Sequence, residues 1–263
     1  MLYLENMAIL FPSPIFGPIK SRRLGVSLGI NLMPSDGKVC TFDCIYCECG
    51  LNGDNRPRQK RPTRQEVRQA LEERLQQMKA ELNAPDVLTF AGNGEPTAHP
   101  DFAGIIDDTL ELRDIYFPDA QVSVLSNATM LHKPDVVEAL KRVDNNILKL
   151  DTVSQDYIMR VDCPTGKYDV GRIVEQLCEF KGKLIVQTLF MKGEHAGESV
   201  DNITDEYVQP WLEALKRIAP QQVMIYTIDR ATPVEGLLKA TPSELDAIVE
   251  RVRALGIVAS ASY

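Results

Sequence analysis

The chain has 263 residues, of which 44% are hydrophobic, and its formal net charge at pH 7 is −8. This length and composition are sufficient for the core of one barrel-sized domain or two small ones, and they match no collagen-like, disordered or membrane protein. The negative charge repels a phosphate backbone over the surface as a whole, so the composition does not favour nucleic acid as the partner.

The amino-terminal segment, residues 1–16, is apolar but does not have the features of a targeting signal. It carries Glu5, has no basic lead segment, and is interrupted by Pro12 and Pro14. These features predict neither a signal peptide nor a membrane span. We therefore expect a cytoplasmic protein that has no membrane partner.

Strand-like runs alternate with helical runs along the remaining chain, without a linker or a low-complexity segment. The capping-box spacings Thr63–Glu66 and Thr241–Glu244 each mark a helix start. Six strand–helix units predict a parallel sheet, either open and doubly wound or a partial (β/α) barrel. The strands are predicted at residues 25–33, 87–91, 122–125, 147–151, 184–191 and 223–228. The helices are predicted after Thr63 and Pro100, at 135–143, 169–180 and 207–218, and from Thr241 to Leu255.

Three cysteines lie within one short loop after the first predicted strand. Cys40, Cys44 and Cys47 have C-x3-C-x2-C spacing, so one loop can direct three thiolates to a single point. Three thiolates on a [4Fe-4S] cluster leave the fourth iron free to bind a molecule other than protein, whereas an electron-carrying cluster takes four cysteines. Cys49 offers an alternative, because it could complete a tetrahedral zinc site with the same three cysteines. The loop alone favours the open cluster and leaves the zinc site as the second interpretation.

Polar motifs follow the next three predicted strands, at the edge where the active sites of parallel sheets collect. Residues 92–96, Gly-Asn-Gly-Glu-Pro, form a glycine-rich turn whose backbone can approach a ligand closely. Ser126 and Asn127 follow the third strand, and Lys149 and Asp151 share one face at the end of the fourth. Each motif alone is common in turns and at strand ends, but their succession indicates one site.

With Tyr46 directly before the third cysteine, the loop resembles the cysteine motif of the radical S-adenosylmethionine (radical SAM) superfamily. The resemblance extends over about residues 17–230. It implies an α/β fold, a partial (β/α)6 barrel of parallel strands with the active site at their carboxyl ends. It also implies one domain over residues 1–263, with a lead segment at 1–24, the barrel core at 25–255 and a strand or tail at 256–263.

The same resemblance assigns the cofactors and their contacts. A [4Fe-4S] cluster would be held by Cys40, Cys44 and Cys47, and S-adenosylmethionine (SAM) would bind at its open iron. The glycine-rich turn resembles the superfamily's glycine-glycine-glutamate motif, which holds the methionine amino group of SAM, although it reads Asn93-Gly94-Glu95 here. The implied SAM contacts are Tyr46, Gly92, Asn93, Gly94, Glu95, Ser126, Asn127, Lys149 and Asp151.

The chemistry that the resemblance implies is reductive cleavage of SAM to methionine and a 5′-deoxyadenosyl radical, which abstracts hydrogen from a substrate. An electron donor such as flavodoxin or ferredoxin would be required, and the substrate would be a small molecule or a nucleotide. Basic side chains near the strand ends suit a phosphate or carboxylate of that substrate. We expect Arg22, Arg23, Lys192 and Arg230 in this role, with surface or structural ion pairing as the alternative.

A narrower likeness involves residues 16–25 and 27–31, which are similar to the lead segment of small iron-sulfur oxidoreductases grouped with the enzymes of wyosine synthesis on tRNA. The chain lacks the second cysteine set of those tRNA enzymes. A tRNA-modifying or protein-activating enzyme is therefore the second hypothesis. The basic run at 56–74 would then be the tRNA footprint, unless it is an ordinary solvated surface. The third hypothesis is a non-enzymatic zinc-binding module, which would leave the glycine-rich turn unexplained.

The remaining cysteines and histidines receive no catalytic role. Cys163 could face the site as a hydrogen donor, but we expect Cys163 and Cys178 to be buried, inert side chains. None of His99, His132 and His195 stands at the spacing of a nucleophilic motif.

Overall fold

An eight-stranded sheet organises the part of the protein that the structure shows. The computed structural model describes residues 8–21, 25–54 and 56–263. The strands are β1 (Ile15–Ser21), β2 (Gly25–Ile30), β3 (Val87–Phe90), β4 (Gln121–Ser126), β5 (Asn145–Lys149), β6 (Ile185–Leu189), β7 (Met191–His195), β8 (Glu198–Ser199), β9 (Gln222–Tyr226), β10 (Leu237–Lys239) and β11 (Val258–Ser262). The main sheet contains β1 to β6, β9 and β11, and the other three strands form a small separate sheet.

The parallel strands follow one another in chain order across the main sheet, from β2 through β3, β4, β5, β6 and β9 to β11. β1 runs antiparallel to β2 and forms one edge, while β11 forms the other. A doubly wound sheet reverses its strand order at a switch point, but this sheet winds in one direction. The predicted partial (β/α)6 barrel is therefore confirmed.

Helices connect the parallel strands, as the alternating pattern predicted. They are α1 (Arg64–Ala80), α2 (Phe102–Tyr116), α3 (Pro134–Leu140), α4 (Gln155–Val161), α5 (Val170–Cys178), α6 (Asp205–Ile218) and α7 (Pro242–Arg253). Both predicted capping boxes are present, Thr63 with Glu66 before α1 and Thr241 with Glu244 before α7. Among the described helices, none combines the length and the apolar character that crossing a bilayer requires.

The two faces of the sheet have different surroundings. Alternate strand residues such as Leu28, Phe90 and Val124 pack with the helices in the main hydrophobic core. Leu125, Ile147, Ile185 and Met224 belong to a separate cluster on the opposite face. Because successive strand residues point to opposite faces, the helices cover the outside of the partial barrel and the second cluster lies inside it.

Three parts of the chain differ from the predicted pattern. The lead segment contributes β1, whereas the pattern began with β2. The connection after β5 contains α4 in addition to the predicted helix, now α5. After β6 the chain enters the antiparallel sheet of β10, β7 and β8, so the predicted fifth strand is divided at Phe190. Residues 256–263 were expected to be a strand or a tail, and Val258–Ser262 form β11.

Candidate active site

A cavity of about 340 Å³ opens at the carboxyl ends of the parallel strands, on the inner face of the sheet. Its volume lies in the range of small-molecule sites. Asn93 and Asp151 are not among the residues that line it. The predicted site residues on the wall itself are Cys40, Cys44, Tyr46, Cys47, Gly92, Gly94, Glu95, Ser126, Asn127 and Lys149.

Lys38, a residue that the sequence analysis missed, lies beside the cysteine loop as a buried cation. Its Nζ donates to the Asp43 carboxylate at 3.3 Å and to the Gly50 carbonyl oxygen at 2.8 Å. Burial lowers the pKa of Lys38, but the negative charges of the loop cysteines and Asp43 outweigh this effect and raise the pKa above its ordinary value. The ammonium therefore stays charged and offsets the negative charge of the loop thiolates.

The three loop thiols differ in acidity. A hydrogen bond with the Cys49 thiol lowers the pKa of Cys47 below its ordinary value, and the Lys38 ammonium adds to this effect although burial opposes it. Burial raises the pKa of Cys40 to about 12, and it raises the pKa of Cys44 well above its ordinary value. Cys47 is therefore the loop thiol that is most readily deprotonated for iron binding.

The donor set fits an iron–sulfur cluster better than a single zinc ion. Cysteine thiolates are the ligands of such clusters, and here Cys40, Cys44 and Cys47 share one wall, on which Cys49 also lies, with a buried ammonium beside them. A zinc ion needs its ligands to converge on one point at about 2.3 Å. Among the residues that the structure describes, no three Cys, His, Asp or Glu side chains converge in that way. The geometry therefore gives no support to the zinc alternative.

The glycine-rich turn pairs with the residue that precedes the first loop cysteine. The Val39 N–H donates to the Asn93 carbonyl oxygen at 2.9 Å, and the Glu95 N–H donates to the Val39 carbonyl oxygen at 3.3 Å. Gly94 has a φ of +145°, and a Cβ at this position would lie 1.8 Å from the Val39 oxygen. Only glycine fits here without displacement, so the turn determines where Cys40 begins the cysteine loop.

Glu95 joins the glycine-rich turn to the end of β4. Its buried carboxylate accepts hydrogen bonds from the backbone N–H of Thr97 at 3.0 Å and of Asn127 at 2.7 Å. Burial raises the pKa of Glu95, although these hydrogen bonds oppose the shift. The Asn127 side-chain amide reaches Cys40 Sγ at 3.6 Å. Both carboxylate oxygens have protein donors, so the expected contact of Glu95 with the SAM ammonium stays a prediction.

The side chain of Asn93 anchors the lead segment and does not face the cavity. Its Nδ2 donates to the carbonyl oxygens of Phe11 at 2.9 Å and Pro34 at 2.8 Å, and its Oδ1 accepts from the Phe11 N–H at 2.8 Å. Asn93, which was predicted to contact SAM, therefore directs no side-chain group into the cavity.

A buried polar group surrounds the end of β5. Lys149 Nζ contacts the Asp151 carboxylate and the Tyr46 hydroxyl, and it lies 3.1 Å from Asp162 Oδ1. Asp162 Oδ1 also accepts hydrogen bonds from the Tyr46 hydroxyl at 3.0 Å and from Cys44 Sγ at 3.5 Å. Burial lowers the pKa of Lys149, but the two carboxylates raise it well above its ordinary value. The group therefore ties a predicted metal ligand to a cationic side chain on the cavity wall.

Asp162 is the member of this group that sequence reasoning missed. It follows α4, and its contact with Cys44 spans 118 positions along the chain. Burial raises the pKa of Asp162, and the Lys149 ammonium opposes this shift. In the sequence, Asp162 is an acidic residue at a helix end beside a Pro-Thr-Gly turn. Such residues are common on protein surfaces, so the sequence does not distinguish this one.

Two of the four basic residues expected to bind substrate lie in the described part of the chain, and both are paired with an acidic side chain. Lys192 Nζ lies 3.0 Å from the Glu244 carboxylate at the start of α7. Arg230 pairs at 2.9 Å with Glu48, which is on the cavity wall, so Arg230 lies at the rim. Arg22 and Arg23 lie outside the described residues. Of these four predictions, the structure places Arg230 next to the site.

Cys49 lies on the cavity wall with the three loop cysteines, whereas Cys163, Cys178 and the histidines do not. The Cys163 thiol donates to the Arg160 carbonyl oxygen at 3.2 Å, behind the cysteine loop, and burial raises its pKa. Cys178 packs against the main core, and both Cys163 and Cys178 are half-buried, whereas the sequence analysis expected them to be buried. The wall residues that the structure describes include no histidine. His99 is buried and its Nε2 is 2.8 Å from the Pro62 carbonyl oxygen.

The basic run at 56–74 is used largely within the protein. Arg64 and Arg68 both bind the Asp108 carboxylate of α2, and Arg68 also binds Glu111. The side chains that donate to acids or carbonyl oxygens of the chain are Arg61, Arg64, Arg68 and Arg74. These contacts hold α1 against its neighbours, so much of the supposed tRNA footprint has a structural role.

Comparison with known proteins identifies the family. The sequence pattern described as "Radical SAM superfamily" matches residues 35–205. A UPF0026 protein of Helicobacter pylori (strain J99) is 33% identical over 231 residues, which cover 86% of this chain and 68% of that protein. A radical SAM methyltransferase from Sphaerobacter thermophilus has the same fold at 12% identity, with a TM-score of 0.65 over 90% of this chain and 66% of that one. Archaeal TYW1 aligns with a TM-score of 0.50 at 13% identity, over 87% of this chain and 71% of that one.

The chain spans just under two thirds of the length of that methyltransferase and about two thirds of the Helicobacter relative. The superfamily pattern covers more than half of the chain and includes the cysteine loop, the glycine-rich turn and the ends of β4 and β5. The expected resemblance is confirmed: the chain belongs to the radical SAM superfamily, whose members use a [4Fe-4S] cluster and SAM.

Proposed function

We propose that the chain is an enzyme that cleaves SAM reductively in the 340 Å³ cavity and abstracts hydrogen from a small-molecule or nucleotide-type substrate. The observation that carries the proposal is the meeting of three loop thiols and the glycine-rich turn on one cavity wall. When bound, the cluster supplies the electron that splits the sulfonium of SAM into methionine and a 5′-deoxyadenosyl radical.

The chain's own residues hold, orient and shield the reactants. Cys40, Cys44 and Cys47 would hold the cluster, and Lys38 offsets their charge. The backbone of the glycine-rich turn lies on the wall where the methionine part of SAM would be placed. Apolar wall residues such as Leu189 help to exclude water from the reacting atoms.

A small substrate agrees better with the structure than tRNA does. The cavity lies near the lower limit of small-molecule sites, and much of its volume must serve SAM. Four basic side chains of the run at 56–74 are bound within the protein.

The reaction also requires a one-electron donor, for which flavodoxin or ferredoxin is suitable. All six cysteines are free thiols, as expected for a protein kept in a reducing compartment.

The test is anaerobic iron–sulfur reconstitution, followed by reduction in the presence of SAM and measurement of 5′-deoxyadenosine. Wild-type protein should bind about four irons and form 5′-deoxyadenosine, and Cys44→Ala should lose both properties. Cys163→Ala is the matched control, because it removes a thiol that lies off the cavity wall. Equal product from Cys44→Ala and Cys163→Ala would contradict the proposal, as would a colourless protein that holds one zinc and never cleaves SAM.

A further inference from the structure

A second, smaller chamber adjoins the main cavity inside the partial barrel. It has a volume of about 140 Å³ and shares Ala91, Leu125 and Gln187 with the main cavity. Its other walls include Ile147 and Met224 of the inner cluster, and β1 contributes Phe16, which is buried, and Ile19, which is exposed. The lower chamber, as we call it, therefore lies deeper in the barrel than the strand ends that surround the main cavity.

The lining of the lower chamber is uncharged. Its described wall contains no Asp, Glu, Lys, Arg or His side chain. The hydroxyls of Ser27 and Thr89 are 2.8 Å apart and satisfy each other. Gln187 is different, because its carboxamide has no hydrogen-bond partner among the residues that the structure describes. Because Gln187 also borders the main cavity, its amide is available to a ligand that occupies both spaces.

The volume indicates what the lower chamber can hold. An apolar cavity of about 150 Å³ in another protein takes up benzene, so this chamber suits a group of roughly six non-hydrogen atoms. An ionised group would lose its hydration there without a compensating charge, and it would be rejected. A neutral polar atom can instead pair with the Gln187 amide.

We propose that the substrate places an uncharged, mainly apolar group in the lower chamber, and that Gln187 recognises a neutral polar atom at its edge. This inference rests on the proposed function, since the main cavity is assigned to SAM. The reacting carbon then lies where the two spaces meet, beside Ala91 and Leu125. Gln187 is thus a specificity-determining residue, and the substrate class is a molecule that carries a small neutral group with an apolar body.

The test measures binding of four probes to cluster-loaded protein with SAM present and no reductant, by isothermal titration calorimetry. The probes are benzene, benzamide, benzoate and benzylamine. We expect benzene and benzamide to bind, benzamide about fivefold to tenfold more tightly because of its hydrogen bond, and the two charged probes not to bind. Gln187→Leu should lower the affinity for benzamide to that for benzene. Gln69→Leu, at an exposed position of α1, is the matched control and should leave both affinities unchanged.

A second variant tests the chamber itself. Met224→Trp adds volume to a wall that belongs to the lower chamber alone, and it should weaken benzene and benzamide binding at least tenfold. Its melting temperature shows whether the variant is folded. The inference is overturned if benzoate or benzylammonium binds as tightly as benzamide, if Gln187→Leu leaves benzamide binding unchanged, or if neither neutral probe binds at about 10 mM.

The 5′-deoxyadenosine assay separates this inference from the proposed function. SAM cleavage without any benzamide binding would leave the enzyme assignment intact and remove the lower chamber as a substrate site. Gln187-dependent benzamide binding without SAM cleavage would retain the chamber as a ligand site and remove the proposed reaction.

Discussion

Substitution of Gly94 by alanine should damage both the stability of the protein and its capacity for iron. The new Cβ would lie 1.8 Å from the Val39 carbonyl oxygen, and alanine would also have to adopt a φ of +145°. This oxygen belongs to the backbone and not to the end of a flexible side chain, so the bridge between Val39 and the turn must open. Since Val39 precedes Cys40, opening the bridge also displaces the first loop ligand.

The magnitude follows from what is lost. Two backbone hydrogen bonds, of 2.9 and 3.3 Å, join the turn to Val39. Each contributes about 0.5–1.5 kcal/mol, and an unfavourable backbone conformation costs about 1–3 kcal/mol. A central expectation is a loss of about 4 kcal/mol in the free energy of unfolding. For a chain of this size that corresponds to a decrease in melting temperature of roughly 8–16 °C.

The assay is thermal unfolding of the cluster-free protein by circular dichroism, together with iron content after reconstitution. Gly166→Ala is the matched control, because a Cβ at Gly166 would meet nothing within 4 Å and this glycine lies on an exposed turn. Gly166→Ala should have the melting temperature and iron content of the wild type. If Gly94→Ala behaved as Gly166→Ala does, the bridge would not be the element that positions the cysteine loop.

Three further predictions concern buried polar side chains. Asn146→Leu should raise the free energy of unfolding by about 1–3 kcal/mol in chemical denaturation, because neither polar atom of this buried amide has a partner among the described residues; a decrease would contradict this. Lys38→Met should lower the free energy of unfolding by about 2 kcal/mol and reduce iron uptake, because two hydrogen bonds from a buried ammonium are lost. The control, Lys141→Met at an exposed position, should change neither the stability nor the iron uptake. His99 should make the stability depend on pH, because burial lowers its pKa below the ordinary value of 6.5. As the pH falls below about 6.5, the unfolded chain binds a proton at this histidine that the folded protein does not bind. The free energy of unfolding therefore decreases. His99→Gln should flatten the melting temperature between about pH 7 and pH 5.5, and an unchanged slope would show that other groups cause it.

Local signals in the sequence were sufficient for the regular part of the fold. The capping boxes at Thr63 and Thr241 predicted the starts of α1 and α7 because the partners lie three residues apart. The cysteine loop and the glycine-rich turn were also local patterns. Their meeting on one wall follows from the parallel sheet, which brings successive strand ends to the same edge.

Contacts between distant residues could not be predicted in this way. Asp162 meets Cys44 only because α4 returns the chain behind the cysteine loop, and no periodicity encodes that return. Lys192 was expected in the site, but an antiparallel strand, β7, carries it to Glu244. Gln187 has an ordinary position in a buried strand, and its significance depends on two adjoining cavities that exist only in three dimensions.

In the described part of the chain, the incomplete barrel has two sheet edges that another polypeptide could extend. At the β1 edge, Pro18 supplies no backbone N–H, and the pairing with β2 is irregular between Phe16 and Ile19, so this edge is a poor template for a neighbouring strand. The five residues of β11 include no proline, and their pairing with β9 is regular. Ser262, at the end of β11, borders the main cavity. We therefore expect edge-to-edge aggregation to occur mainly through β11. A charged substitution at Val258, which is exposed, is the natural choice for improving the solubility of the purified protein.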